Sequence, residues 1–309
     1  MGCRLFCLTL WAAALRSSGL PEPLHPVDTA APAVSMFQVR ANAVEAKTRR
    51  APKTEGQRPW ELYRYFTCGH HKAGVDLARS LMIQVFKALD LNMTKDFGTW
   101  NFLCDGSSED LFCYNRDAPV RFESDTCSLE SVQKEHAAYP EQLMRVANSV
   151  RDPLDMVASA YCYHHRGMEW IYPEWGGLEV MKMGLHEGVP FMAQKMLDVV
   201  ANMTSFHENP QVKVHALPFE IISATSAGFD AEVEKLIDFW FHGLITEVER
   251  KKAIELARMS DLHRYPKQDS GHTNDAECMM AARAATQFIE PQLLGQYQAF
   301  QRKLGYKVS

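Results

Sequence analysis

Small and apolar residues alternate along Met144–Val150, and after Arg151 and Asp152-Pro153 the apolar positions Leu154, Val157, Ala158 and Tyr161 recur at helical spacing. The pattern predicts a buried strand, a tight break and a helix. Asp152 is its expected N-cap, Pro153 its first residue, and Asp155 lies in its first turn. Ser159 shares a helix face with Asp152 and Asp155, at offsets of seven and four. The same succession occurs earlier. Leu62–Thr67 has strand character, Cys68–Gly74 reads as a loop, and Leu77, Leu81, Val85 and Leu89 mark a helix over Val75–Leu89. Further strands are expected at Gly98–Cys104, Pro119–Glu123 and Val212–Phe219, and further helices at Gly188–Thr204, Ala231–Phe241 and Gln287–Tyr306. This alternation predicts a single α/β domain over 59–309 with a central, mainly parallel sheet flanked by helices.

Two places in this pattern carry chemistry. Arg151 stands at the end of a strand, where open α/β sheets bind ligands. Its planar fork and the compact Ser159 hydroxyl can both face one phosphate. The loop holding Lys72 and Gly74 lies between a strand and a helix, a geometry that turns backbone N–H groups and the helix dipole toward an anion. It is not a Walker A loop, because G-x-x-x-x-G-K-[ST] is absent.

R-D-P-L-D-M-V-A-S-A-Y resembles the 3′-phosphate motif of sulfotransferases that use 3′-phosphoadenosine-5′-phosphosulfate, in which an arginine and a serine eight residues later hold the 3′-phosphate. Arg151 and Ser159 stand at those positions. His-His-Lys-Ala-Gly resembles that family's 5′-phosphosulfate loop, Lys-x-Gly-Thr-[Thr/Ser]. Lys72 and Gly74 match, while Val75 and Asp76 replace the hydroxyls. The resemblance extends over about residues 60–306, with Tyr163–Trp170 similar to microbial and algal members. It implies a three-layer, P-loop-NTPase-related fold and sulfuryl transfer to a hydroxyl or amine. It assigns donor binding to Lys72, Ala73, Gly74, Val75, Asp76, Arg151 and Ser159, and catalysis to Lys72. The acceptor is expected to be a small molecule or a carbohydrate, a luminal glycan among them. Asp105, Glu123, Asp125 and His136 are candidates for the base that takes the acceptor proton. The basic, glycine-containing stretch with His263, Arg264, Lys267, Gly271 and His272 loosely resembles the family's nucleotide-closing loop. Two other classes stay open: a nucleotide-binding protein of the same fold without turnover, which Val75-Asp76 favours, and a nucleotide kinase or hydrolase, which would need Mg²⁺ and a Walker-type loop.

Composition narrows the setting. The chain has 309 residues, 46% hydrophobic and 23% charged, with a net charge of −5, so no overall basic field recruits nucleic acid. Arg4 followed by the apolar run Leu5–Leu15, with Ser17 and Gly19 beyond, reads as a signal peptide over 1–19. That run is too short for a stable transmembrane span, although a signal-anchored Golgi protein is the alternative to a luminal or secreted one. Residues 20–58, rich in Pro, Ala and charge, read as a disordered stem. Six cysteines beyond the leader fit disulfides, with Cys104–Cys113 the preferred pair among fifteen pairings. Asn92-Met-Thr and Asn202-Met-Thr are glycosylation sequons. The doublets His70-His71 and His164-His165 sit in no Cys-x-x-Cys or His-x-x-x-His frame. They read as solvated or hydrogen-bonding side chains, and no metal is expected.

Overall fold

Alternate residues of Tyr63–Gly69 enter two different cores. Tyr65 packs with one set of helices, while Phe66 and Cys68 face the opposite side of the sheet, as the two-residue period of a strand requires. The protein is described by a computed structural model over residues 56–100, 117–124, 127–207, 212–266 and 274–308. All of these belong to the unit Ala46–Ser309.

After a short helix α1 (Pro59–Leu62), the chain runs through β1 (Tyr63–Gly69), α2 (Val75–Ala88), β2 (Phe97–Trp100), β3 (Val120–Ser124), α3 (Leu129–Ala138), β4 (Leu143–Val150) and α4 (Pro153–His165). It continues with α5 (Gly177–Val180), α6 (Leu185–Ser205), β5 (Lys213–Pro218), α7 (Phe219–Ile222), α8 (Ser226–Phe241), α9 (Glu247–Ala257), α10 (Ala276–Ala285) and α11 (Pro291–Leu304). The strands form one sheet in the order β2-β3-β1-β4-β5, and each pairing is parallel. The expected α/β architecture, with helices on both faces, is therefore what the chain adopts.

One face is covered by α2, α8 and α9, whose Leu81, Val85, Phe86, Phe229, Leu236 and Trp240 close over Tyr65, Val120 and Phe122. On the other, α4, α6, α10 and α11 build a second core around Val157, Tyr161, Met192, Met196 and Tyr297. A third cluster places Val132 of α3 and Phe206 against Phe66 and Val146. Disulfides join Cys68 to Cys127 and Cys162 to Cys278, which fits an oxidising secretory or luminal setting. Among the described residues, no helix is long and apolar enough to cross a membrane.

Some boundaries differ from expectation. Cys68 and Gly69 extend β1 instead of opening the loop, because their backbone pairs with Glu123 and Ser124 of β3. Gln287 lies in a 3-10 turn, and the last helix starts at Pro291 behind the capping carboxylate of Glu290. The leader, most of the stem, Asp105, Asp125, the Cys104–Cys113 pair and the segment with Lys267, Gly271 and His272 lie outside the described residues.

Candidate functional site

β1 and β4 are neighbours in the sheet, yet the helices that follow them leave to opposite faces: α2 joins the first core and α4 the second. Such a switch point opens a crevice beyond the carboxyl ends of the two strands. The loop 70–74 enters it from β1 and Arg151 from β4. Nη1 of Arg151 donates to the carbonyl of Lys72 at 2.7 Å, so the two sequence-derived motifs meet.

Local geometry explains the shape of the loop. Lys72 and Gly74 both adopt left-handed backbone conformations, with φ of 64° and 84°. The Ala73 amide closes the turn on the His70 carbonyl at 2.8 Å. Gly74 is required twice over, because a Cβ there would lie 2.6 Å from the Phe219 ring. The first-turn N–H groups of α2, as in any helix, lack intrahelical partners, and its N-cap Gly74 offers no side chain to them. Asp76 in that turn lies 3.5 Å from Arg79, both side chains partly exposed. The Phe219 ring also supports Arg151, whose guanidinium carbon stands 4.5 Å from the ring centroid.

α4 starts as its sequence predicts. Asp152 accepts from the amides of Leu154 and Asp155 behind Pro153. Gln301 donates to both Asp152 oxygens, and Glu220 accepts from the Asp152 amide at 2.9 Å and from the Tyr306 hydroxyl at 2.8 Å. The segment after β5 and the C-terminal helix thus fix the direction in which α4 leaves the sheet. Two turns along, the buried Ser159 receives the Nδ2 amide of Asn274, at 3.0 Å on Oγ and 2.9 Å on the carbonyl. Asp155 holds Arg283 of α10 through two contacts of 2.5 and 2.7 Å.

The crevice is rich in cations held close together. Burial lowers the Lys72 pKa to about 7, against the pull of Glu169, while Arg151 and Arg166 push it further down. Its Nζ rests 3.3 Å from the Tyr163 ring centroid. Burial also lowers the pKa of Arg151, which Asp155 and Glu220 oppose, and its Nε has no hydrogen-bond partner among the described residues. A dense set of buried donors with an unfilled N–H suits a multiply charged anion.

Two further groups line this region that sequence reasoning set aside. His71 and His164 come together with Nε2 atoms 2.8 Å apart, and His71 stacks on Trp175 at 4.2 Å between centroids. His70 is buried on Asn148, which also donates to the Met203 carbonyl. These three histidines are hydrogen-bonded in the interior, not solvated. The doublets themselves were the one signal in the sequence. What no spacing could show is that residues 71 and 164 meet across the switch point. Asn274 had no signal at all.

The other candidates lie on other elements. Glu123 is held on β3 by Arg121, which also pairs with Glu135 at 2.8 Å. His136 occupies the last turn of α3. That helix returns about 15 Å toward the amino-terminal edge of the sheet, away from Lys72. His263 donates to the Ser223 carbonyl at 2.9 Å, and Arg264 is engaged by Asp230 and Asp261. No protein family model matches the chain, and no curated protein matches it.

Proposed function

We propose that the chain is a sulfotransferase that moves a sulfuryl group from 3′-phosphoadenosine-5′-phosphosulfate to a hydroxyl or amine acceptor. The observation that carries the reading is the meeting of Arg151 with the Lys72 loop at the switch point of the sheet. In this reading Arg151 and Ser159 hold the 3′-phosphate, and the backbone of Gly74, Val75 and Asp76 cradles the 5′-phosphate. Lys72 meets the charge that develops on the bridging oxygen as the sulfur–oxygen bond breaks. The acceptor oxygen forms the new bond to sulfur and yields its proton to a base. Anchoring at the 3′-phosphate positions the sulfuryl group for in-line attack. The disulfides favour a luminal acceptor, a glycan or a small alcohol.

Isothermal titration with 3′-phosphoadenosine-5′-phosphate, the desulfated product, tests the site directly. Saturable binding that weakens at least about thirtyfold in Arg151→Ala is expected, and failure of the wild-type protein to bind would remove the proposal. A second reading, binding without turnover, draws on Val75-Asp76 and on the Lys72 amine resting against Tyr163. Transfer of radiolabelled sulfate to an acceptor panel separates the two.

A further inference from the structure

We infer that His71, His164 and Glu169 form a binding site for a divalent first-row transition ion beside Lys72. Each offers one ligand atom, and the three atoms lie within 4.8 Å of one another. The inference does not depend on the donor proposed above.

His164 Nδ1 lies 3.1 Å from the Met168 carbonyl, which can only accept. Its proton is therefore on Nδ1 and its Nε2 carries a lone pair toward His71. A carbonyl holding the far nitrogen is the usual support of a metal-bound histidine. Both rings are buried, and the neutral imidazole is the form that ligates an ion. An ion can take the place of the proton shared between the rings, with His71 carrying its own proton on Nδ1. Trp175 fixes the His71 plane by stacking within 8°.

The third ligand is brought in by the backbone. Glu169 follows the C-terminus of α4 with φ of 57°, and its Oε1 takes the Tyr163 hydroxyl at 3.4 Å. Two imidazoles with one carboxylate suit borderline ions and disfavour Mg²⁺ and Ca²⁺, which take oxygen ligands. With metal–nitrogen bonds near 2.1 Å, ligands at right angles stand about 3 Å apart, and tetrahedral ones stand further apart. The 2.8 Å separation of the two nitrogens is close to the right-angled case, so the imidazole pair suits Co²⁺ and Ni²⁺ and needs a small opening for Zn²⁺, while the carboxylate oxygen, within 4.8 Å of them, closes in on binding. The remaining positions are left for water or an anionic oxygen. Lys72 bears on the same spot, because Glu169 is the principal charge favouring its protonated form.

The test is Co²⁺ titration of chelator-treated full-length protein without nucleotide, followed by calorimetry and visible absorption, with Mg²⁺ as the control ion. One equivalent of Co²⁺ should bind and give d–d bands. His164→Gln and Glu169→Gln should each weaken it at least about tenfold. His165→Gln, whose ring instead donates to the Val180 carbonyl, should leave it unchanged. Glu169 is only partly buried, so Glu169→Gln keeps the test decisive if His164→Gln fails to fold. Lack of Co²⁺ binding by the wild-type chain, or equal binding by folded Glu169→Gln, would overturn the site.

Discussion

Asn274 donates one amide nitrogen to both the hydroxyl and the carbonyl of Ser159, from 115 residues further along the chain. The serine oxygen thereby accepts from Asn274, and its own O–H remains a donor. A hydroxyl held in this way can give its hydrogen to an anion. Asn274→Ala should therefore weaken binding of 3′-phosphoadenosine-5′-phosphate severalfold, by about 1 kcal/mol. It should leave a ligand lacking the 3′-phosphate unaffected. Equal losses for both ligands in calorimetry would assign Asn274 a purely structural part.

Arg151 should matter more. Its removal takes away a buried, charge-assisted contact and should cost about 2–4 kcal/mol of binding to the same nucleotide. Arg151→Lys should recover only part, because a point charge cannot reproduce the fork or the stacking on Phe219. The comparison ligand without the 3′-phosphate should show a much smaller loss. If it does not, the arginine is holding the Lys72 loop and not the phosphate.

The pH dependence of stability should report on Lys72. Its folded pKa is lowered from the ordinary 10.5 to about 7 by burial. Between those values the unfolded chain binds more protons than the folded one, so this group adds stability as pH rises through that window. A tenfold difference in proton affinity between the two states corresponds to about 1.4 kcal/mol. Lys72→Met should raise the melting temperature most near pH 6 and flatten its rise toward pH 10. An unchanged slope in the variant would show that the ammonium is not desolvated.

Val75 and Asp76 mark the departure from the sulfotransferase loop. Asp76 has Arg79 within 3.5 Å at a partly exposed position, and such pairs contribute about 0.2–1 kcal/mol. Val75→Thr with Asp76→Thr should thus change stability little while raising nucleotide affinity severalfold. A change from no binding to tight binding would instead identify the natural chain as a non-binder.

Much of this architecture was legible in the chain because it rests on local periodicity. The alternation over Met144–Val150 and the Asp152-Pro153 start needed no partner from elsewhere, and both form as expected. The stripe Leu77, Leu81, Val85 and Leu89 is buried throughout. What escaped was contact between distant segments. Cys68 reaches Cys127 because β1 and β3 are neighbours in the sheet, and Cys162 reaches Cys278 because α4 packs on α10; spacing along the chain shows neither. The His71–His164 pair escaped for the same reason.

The position of β1 in the sheet has a consequence for biosynthesis. This strand emerges first from the ribosome yet finishes in the middle, with β3 on one side and β4 on the other. Its Tyr63 pairs with Leu143, about 80 residues later. Until then one flank of Tyr63–Gly69 presents open N–H and C=O groups beside apolar side chains, a template for association with other nascent chains. Translation beyond β4 closes that flank. Chains stalled before Leu143 should accordingly be the ones that chaperones retain and that aggregate when chaperones are scarce.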